Sequence, residues 1–147
     1  MLTTKNPNFK ESILHHLKRQ EFMKHINCTL TTIEIGYVVA EIELDTIHQQ
    51  QIGLVHGGVT ATIADVAAGF AGFTLVGPDE HTVTAEIKIS YFAKGLGKKL
   101  KAIGRVVKPG NNLHFCEAEV YTIDENGKEK LIAKATTTMA VITPKGL

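Results

Sequence analysis

Between residues 11 and 26, apolar residues Ile13, Leu14, Leu17, Phe22 and Ile26 recur at spacings of mostly three, four and five. That stripe predicts an amphipathic helix, with Ser12 or the asparagines before it able to cap its start. The segment ahead of it is polar, so residues 1–10 read as a loose N-terminal segment. From residue 28 the period drops to two. Residues 28–35 and 37–44 predict two strands separated by a turn at Gly36. In the second, Val38, Ala40, Ile42 and Leu44 alternate with Val39, Glu41 and Glu43. Residues 45–53, with three successive glutamines, read as a loop.

The next stretch has neither period. Residues 59–76 are almost all apolar or small and predict a long helix that is apolar on every side, which requires burial. After Gly77 and Pro78 alternation returns. Val83, Ala85, Ile87, Ile89 and Tyr91 form one face, and Thr82, Thr84, Glu86, Lys88 and Ser90 the other. Residues 100–107, 113–123 and 131–142 predict three more strands, with Asp124-Glu125-Asn126-Gly127 as a turn. Strands without intervening helices pair antiparallel. The expected fold is α+β: a long central helix wrapped by a curved antiparallel sheet, with an N-terminal helix.

Length and charge narrow the class. A chain of 147 residues makes one domain, expected over residues 1–147. The net charge is +1 with both signs scattered, which is not the basic stripe of a nucleic-acid binder. Cys28 and Cys116 match no zinc or CxxC spacing and read as free core thiols. The opening MLTTKNPNFKES holds no apolar leader. With free cysteines, this gives the cytoplasm as the expected location. His15, His16 and His25 have no partners at ligand spacing, so no metal is expected. A membrane span is excluded because the apolar run is barely long enough, holds an aspartate and lacks a flanking Trp/Tyr belt.

That aspartate is Asp65. A carboxylate in an apolar helix must face solvent, be hydrogen-bonded, or serve chemistry. Just upstream, His56-Gly57-Gly58 opens the helix. A helix N-terminus offers free N–H groups and a positive dipole end, and glycines let a ligand approach the backbone. One stretch therefore supplies a donor site for a developing oxyanion and a carboxylate able to act as base or nucleophile. Asp65 lies seven residues past Gly58, roughly 10 Å along a helix, which a short side chain cannot span. If the two cooperate, they come from different chains, which points to a two-fold dimer with composite sites.

These residues resemble a known family. Gly53-Leu54-Val55-His56-Gly57-Gly58, then Asp65, then the strand from Thr84 to Tyr91, then Gly95, are similar to the hotdog-fold thioesterases. The nearest group is the PaaI-like, phenylacetate-pathway acyl-CoA thioesterases. The resemblance implies a dimer with a continuous sheet, often a dimer of dimers, that hydrolyses acyl-CoA without metal or organic cofactor. It implies that the Gly57 N–H polarises the thioester carbonyl and that Asp65 of the partner subunit activates water or attacks directly. Thr84 matches a position that holds the water or the aspartate, and His56 orients the loop or substrate beside Gly57 and Gly58. Enzymes of the group often carry asparagine three residues before the first glycine; here Gln50 keeps the amide and adds a methylene.

Binding CoA requires positive charge for its phosphates. Lys94, Lys98, Lys99 and Lys108 lie at strand ends or turns, with Lys94 and Lys108 the leading candidates. The acyl pocket is expected between the central and N-terminal helices. Two competing readings are a non-catalytic acyl-CoA-binding module and a hydroxyacyl-thioester dehydratase. The first conflicts with Asp65, the second with the HGG context.

Overall fold

The alternating segments form a single six-stranded sheet. The computed structural model describes residues 1–144, so the last three residues of the expected domain lie outside the described residues. The elements are α1 (Phe9–Lys18), α2 (Glu21–His25), β1 (Cys28–Glu34), β2 (Tyr37–Glu43), α3 (Gly57–Phe73), β3 (His81–Tyr91), β4 (Lys99–Lys108), β5 (Leu113–Ile123) and β6 (Glu129–Ile142). The sheet order is β1-β2-β4-β5-β6-β3, with every pair antiparallel. β1 and β3 are therefore the edges, and the β2–β3 connection carries α3 across the sheet.

The core is built from small residues because α3 lies close on the sheet. Ile63, Ala64, Ala67, Ala68 and Ala71 of α3 are fully buried, facing strands that contribute Ala40, Ala102 and Ala118. At Gly104 on β4, a Cβ would lie 2.2 Å from the Ala67 carbonyl carbon and oxygen. Nothing larger than glycine fits there unless the helix lifts off, and close packing of the core resists that. α3 is not enclosed on all sides. Ala61, Thr62, Asp65, Val66 and Gly69 are only half-buried, so one face remains open beside β3.

Two N-terminal expectations are corrected. The single helix over residues 11–26 is two, α1 and α2, broken at Arg19 and Gln20. The Arg19 and Gln20 N–H groups bond back to His16 and Leu17 carbonyls, and Gln20 leaves in an extended conformation. The break falls at the spacing of five between Leu17 and Phe22. It lets Ile13 and Met23 share one core while Phe22 stays exposed. The segment expected to be loose is packed. The Lys5 N–H donates to the Leu75 carbonyl at 3.2 Å, and Asn6 and Phe9 are buried.

β3 departs from simple alternation. Its register with β6 shifts between Thr84 and Glu86, so Ala85 is an extra residue in the ladder. A one-residue bulge reverses the faces of everything beyond it. Thr82 and Thr84 before the bulge, and Tyr91 after it, therefore all turn toward α3. Strict alternation would place Thr84 and Tyr91 on opposite faces.

Candidate active site

The start of α3 is fixed by the loop before it. His48, read only as part of that loop, is fully buried. Its Nδ1 accepts from the Asp45 N–H at 2.9 Å, its Nε2 donates to the Ile26 carbonyl at 2.8 Å, and its own carbonyl accepts from the His56 N–H at 2.8 Å. The chain then turns through Gln50–Gly53, where Gly53 has φ +80°, a left-handed conformation open to glycine. The Val55 N–H donates to the Gly95 carbonyl at 2.9 Å. A Cβ at Gly95 would lie 2.8 Å from the Val55 Cβ, so glycine there lets the two loops touch.

His56 is the N-cap of α3, and its Nδ1 accepts from the Gly58 N–H at 2.9 Å. A Cβ on residue 58 would press to 3.0 Å against that nitrogen. The Val59 and Thr60 N–H groups bond to the His56 carbonyl. This leaves the Gly57 N–H, which is exposed and has no acceptor among the described residues. It stands at the positive end of a 17-residue helix. The Tyr91 hydroxyl donates to the Gly57 carbonyl at 2.9 Å and braces the peptide from the far end of β3. The structure thus places one free amide donor at a rigid helix start, suited to hold an anionic oxygen.

Asp65 sits two turns along, half-buried on the open face of α3. Thr84 Oγ donates to its Oδ1 at 2.7 Å, across from the edge strand. Eight residues of helix separate Gly57 from Asp65, about 12 Å of rise. The structure therefore joins Asp65 to Thr84 and Gly57 to His56, Gly58 and Tyr91, but does not join these two groups within one chain.

Beside Asp65 and Thr84 opens a cavity of about 250 Å³. Val66, Gly69, Phe70, Phe73 and Met139 supply its apolar wall, with Gln20 reaching in from the α1–α2 break. Behind it, His16 packs on Phe73 and His81 with ring centroids 5.4 and 4.9 Å apart. Burial, then His81, His15 and Arg19, hold His16 below its ordinary pKa of 6.5. The cavity thus lies between α3 and β3 rather than between the central and N-terminal helices as expected; from the latter only Gln20, at their break, lines it.

The remaining candidates are spread out. Gln50 lies in the loop before His56, and its Oε1 accepts from the Ile52 N–H at 2.8 Å, so its oxygen serves its own turn. Lys98 pairs with Glu125, and Lys99 with Glu41 and Glu43. Lys94 and Lys108 are exposed and have no carboxylate partner among the described residues. Lys94 precedes the start of β4 and Lys108 is its last residue, so the two do not share one site within a chain. Among the described residues no cluster of three or more His, Cys, Asp or Glu side chains could hold a metal ion. No helix of the described residues is long and apolar enough to cross a membrane. The site reading from sequence left out His48, whose burial gives no periodic signal. It also gave no role to Tyr91, although that residue ends the matching strand.

The thioesterase superfamily model matches residues 52–128, just over half the chain. Human acyl-coenzyme A thioesterase 13 is 26% identical over 135 residues, spanning 90% of this chain and 94% of that protein. A thioesterase family protein from Silicibacter pomeroyi superposes with a TM-score of 0.89 at 27% identity, covering 92% of this chain and 99% of that one. The E. coli PaaI protein of the phenylacetic acid degradation operon shares the fold, with a TM-score of 0.80 at 15% identity and 95% and 96% coverage. The chain belongs to the thioesterase superfamily. It is a hotdog-fold thioester hydrolase similar to the PaaI-like proteins.

Proposed function

We propose that the protein is a cytoplasmic acyl-CoA thioesterase acting as a homodimer, or a dimer of dimers, with composite sites. The observation that carries the mechanism is the free Gly57 N–H, the one unpartnered amide at the capped start of α3 among the described residues. It polarises the thioester carbonyl and holds the oxyanion as the tetrahedral intermediate forms. Asp65 of the partner subunit supplies the second group, as general base toward water or as nucleophile. Collapse of the intermediate breaks the C–S bond, and the CoA thiolate leaves and takes up a proton. Thr84 fixes the aspartate through its 2.7 Å hydrogen bond. His56 and Gly58 close the cap that leaves Gly57 free, and Gln50 shapes the loop ahead of them.

Two features support the dimer. β3 is an 11-residue edge strand with Val83 and Ile87 exposed, a template for pairing. The open face of α3 lies beside it. Two-fold pairing of β3 edges would cover both and run the two α3 helices antiparallel, which offsets the 12 Å that separates Gly57 from Asp65. Lys94 and Lys108, unpaired among the described residues, supply charge for the CoA phosphates. The unlinked, buried Cys28 and Cys116 suit a reducing compartment.

Release of free CoA thiol from a panel of acyl-CoAs, with wild type beside Asp65→Asn, tests the reading. Turnover in the wild type should fall by roughly 10²–10⁴-fold in the variant. Equal rates in the two proteins would remove Asp65 from the mechanism. Binding of acyl-CoA without turnover would favour the non-catalytic module.

A further inference from the structure

Tyr91 reaches the start of α3 from outside it. Its hydroxyl donates to the Gly57 carbonyl at 2.9 Å, from a residue 34 positions away in the chain. Among the described residues, every other hydrogen bond at residues 56–58 comes from α3 itself or from the loop before it. The Val59 and Thr60 N–H groups bond to the His56 carbonyl, the Gly58 N–H to His56 Nδ1, the Thr62 hydroxyl to the Gly58 carbonyl, and the His56 N–H to the His48 carbonyl. The base of the tyrosine is firm. Tyr91 pairs with Ala133 of β6, and the next two N–H groups, of Phe92 and Ala93, both donate to the Ile132 carbonyl, at 2.7 and 3.3 Å.

The hydroxyl matters because of what stands at this turn. Two glycines open α3, and glycine gives up more conformational freedom in a helix than any other residue. A first turn built on them frays unless something outside the helix holds it. The Gly57 Cα joins two peptide planes. The plane before it carries the free N–H. The plane after it carries the carbonyl bound by Tyr91 and the Gly58 N–H bound by His56. Tyr91 hydroxyl, Gly57–Gly58 peptide and His56 ring thus form a chain of hydrogen bonds through one amide, 2.9 Å at each link, and bonds in series polarise one another. Rotation about Gly57 breaks this chain and swings the free N–H aside. The fold has small need of the hydroxyl, since Tyr91 is 52% exposed and adds little to the core.

We propose that Tyr91 is a positioning residue for the oxyanion donor: its hydroxyl, acting through the Gly57 carbonyl, keeps the Gly57 N–H aimed at the point where the thioester oxygen gains charge. This rests on reading Gly57 as the oxyanion donor of a thioesterase. The action falls on the transition state and not on substrate binding, because the N–H bonds most strongly once the oxygen is charged. Loss of the hydroxyl leaves the N–H present but less well directed. The fall in kcat is therefore about tenfold, less than for loss of the donor itself, and KM stays near its wild-type value.

The test is a double-mutant cycle on CoA thiol release, using the acyl-CoA of the panel that the wild type cleaves fastest. It compares wild type, Tyr91→Phe, Gly57→Pro and the double variant. Phenylalanine keeps the ring beside Gly57 and removes only the hydroxyl. The expected result is an approximately tenfold lower kcat in Tyr91→Phe, at unchanged KM and with a melting temperature close to wild type. Adding Tyr91→Phe to Gly57→Pro should cost nothing more, because no donor remains to be aimed. A hydroxyl that contacts substrate, or that only supports the fold, costs the same factor in both backgrounds, and that result overturns the proposal. So does a Tyr91→Phe enzyme with full kcat, or one whose loss lies in KM. A Gly57→Pro enzyme at full rate, or a wild type that cleaves no ester of the panel, removes the donor reading and this proposal with it. A slow Gly57→Pro enzyme beside a Tyr91→Phe enzyme at full rate removes this proposal alone.

Discussion

Gly57→Pro removes one atom group from the site and little else. Residue 57 is the first residue of α3, a position that proline favours because its N–H has no intrahelical acceptor. The residue before a proline must be extended, and His56 already is, at φ −62° and ψ 134°. A Cβ at position 57 meets Tyr91 at 3.6 Å, an ordinary contact. The Gly57 carbonyl that accepts from Tyr91 is retained. Stability should therefore hold or rise by up to about 1 kcal/mol, because proline restricts the unfolded chain. Loss of an oxyanion donor lowers kcat by roughly 10²–10³-fold. Gly57→Ala is the matched control, with the same Cβ contact and the N–H kept, and should stay within a few-fold of wild type. The assay is CoA thiol release beside a thermal melt. A Gly57→Pro enzyme at full rate, or a Gly57→Ala enzyme as slow as the proline variant, would refute the donor role. The same variant tests composite sites. Mixed after subunit exchange with Asp65→Asn, random pairing makes half the dimers mixed, each with one intact site of two, so roughly a quarter of wild-type activity should return. No recovery after confirmed exchange would mean that the two groups do not meet across an interface.

Four further outcomes are expected. Thr84→Val keeps the side-chain shape but leaves Asp65 Oδ1 without its donor; kcat should fall about 10–100-fold, the scale of a hydrogen bond to a charged group, with an unchanged melt. Gly69→Ala meets only the Met139 Cε at 3.7 Å, so it should stabilise the protein by about 1 kcal/mol of helix propensity while narrowing the cavity and slowing hydrolysis of bulky acyl groups relative to slender ones. Burial pushes the Cys28 and Cys116 thiols up to about 12, so both should react with a thiol reagent at pH 8 on the order of 10³-fold more slowly in the folded protein than in urea. Burial, then Lys5, holds His114 below its ordinary 6.5, with Glu80 opposing. The unfolded chain thus binds more protons as pH falls, so this contribution is complete above about 6.5 and is lost below it; comparing urea midpoints at pH 7 and 5, His114→Phe should lose less stability than wild type.

The fold was legible wherever burial has a period. β5 was expected over residues 113–123 and spans Leu113–Ile123, because one face of a central strand is buried along its whole length. β3 misled for the opposite reason. Its sequence alternates without a break, yet Ala85 bulges out of the ladder, and an exposed edge strand does not register the slip in its composition. The helix start at Gly57 matches the expectation that His56-Gly57-Gly58 opens the helix, while its end at Phe73 falls short of the apolar run that continues to Val76. Within the site, the sequence set Asp65 on a helix and Gly57 at its start. It could not show that Thr84 reaches Asp65, because that depends on the bulge. Nor could it sort the lysines: Lys98 and Lys99 are paired with Glu125, Glu41 and Glu43, partners far away in the sequence.

The bulge also explains why one short strand can serve both proposed halves of the site. Thr84 must face α3 to reach Asp65, and Tyr91 must face it to reach Gly57. Seven residues separate them, an odd number, and a regular strand would turn one of them away. The inserted Ala85 corrects the parity, so β3 touches α3 at both places, with Thr82 adding a third tie to Gly69. Deleting Ala85 would restore a regular ladder while breaking either the Thr84 or the Tyr91 contact. The cost of the irregularity is small on an edge strand, where few ladder bonds are lost, and large in a central one. The position of β3 at the sheet edge is therefore what allows it to hold both the Asp65 carboxylate and the Gly57 peptide in place.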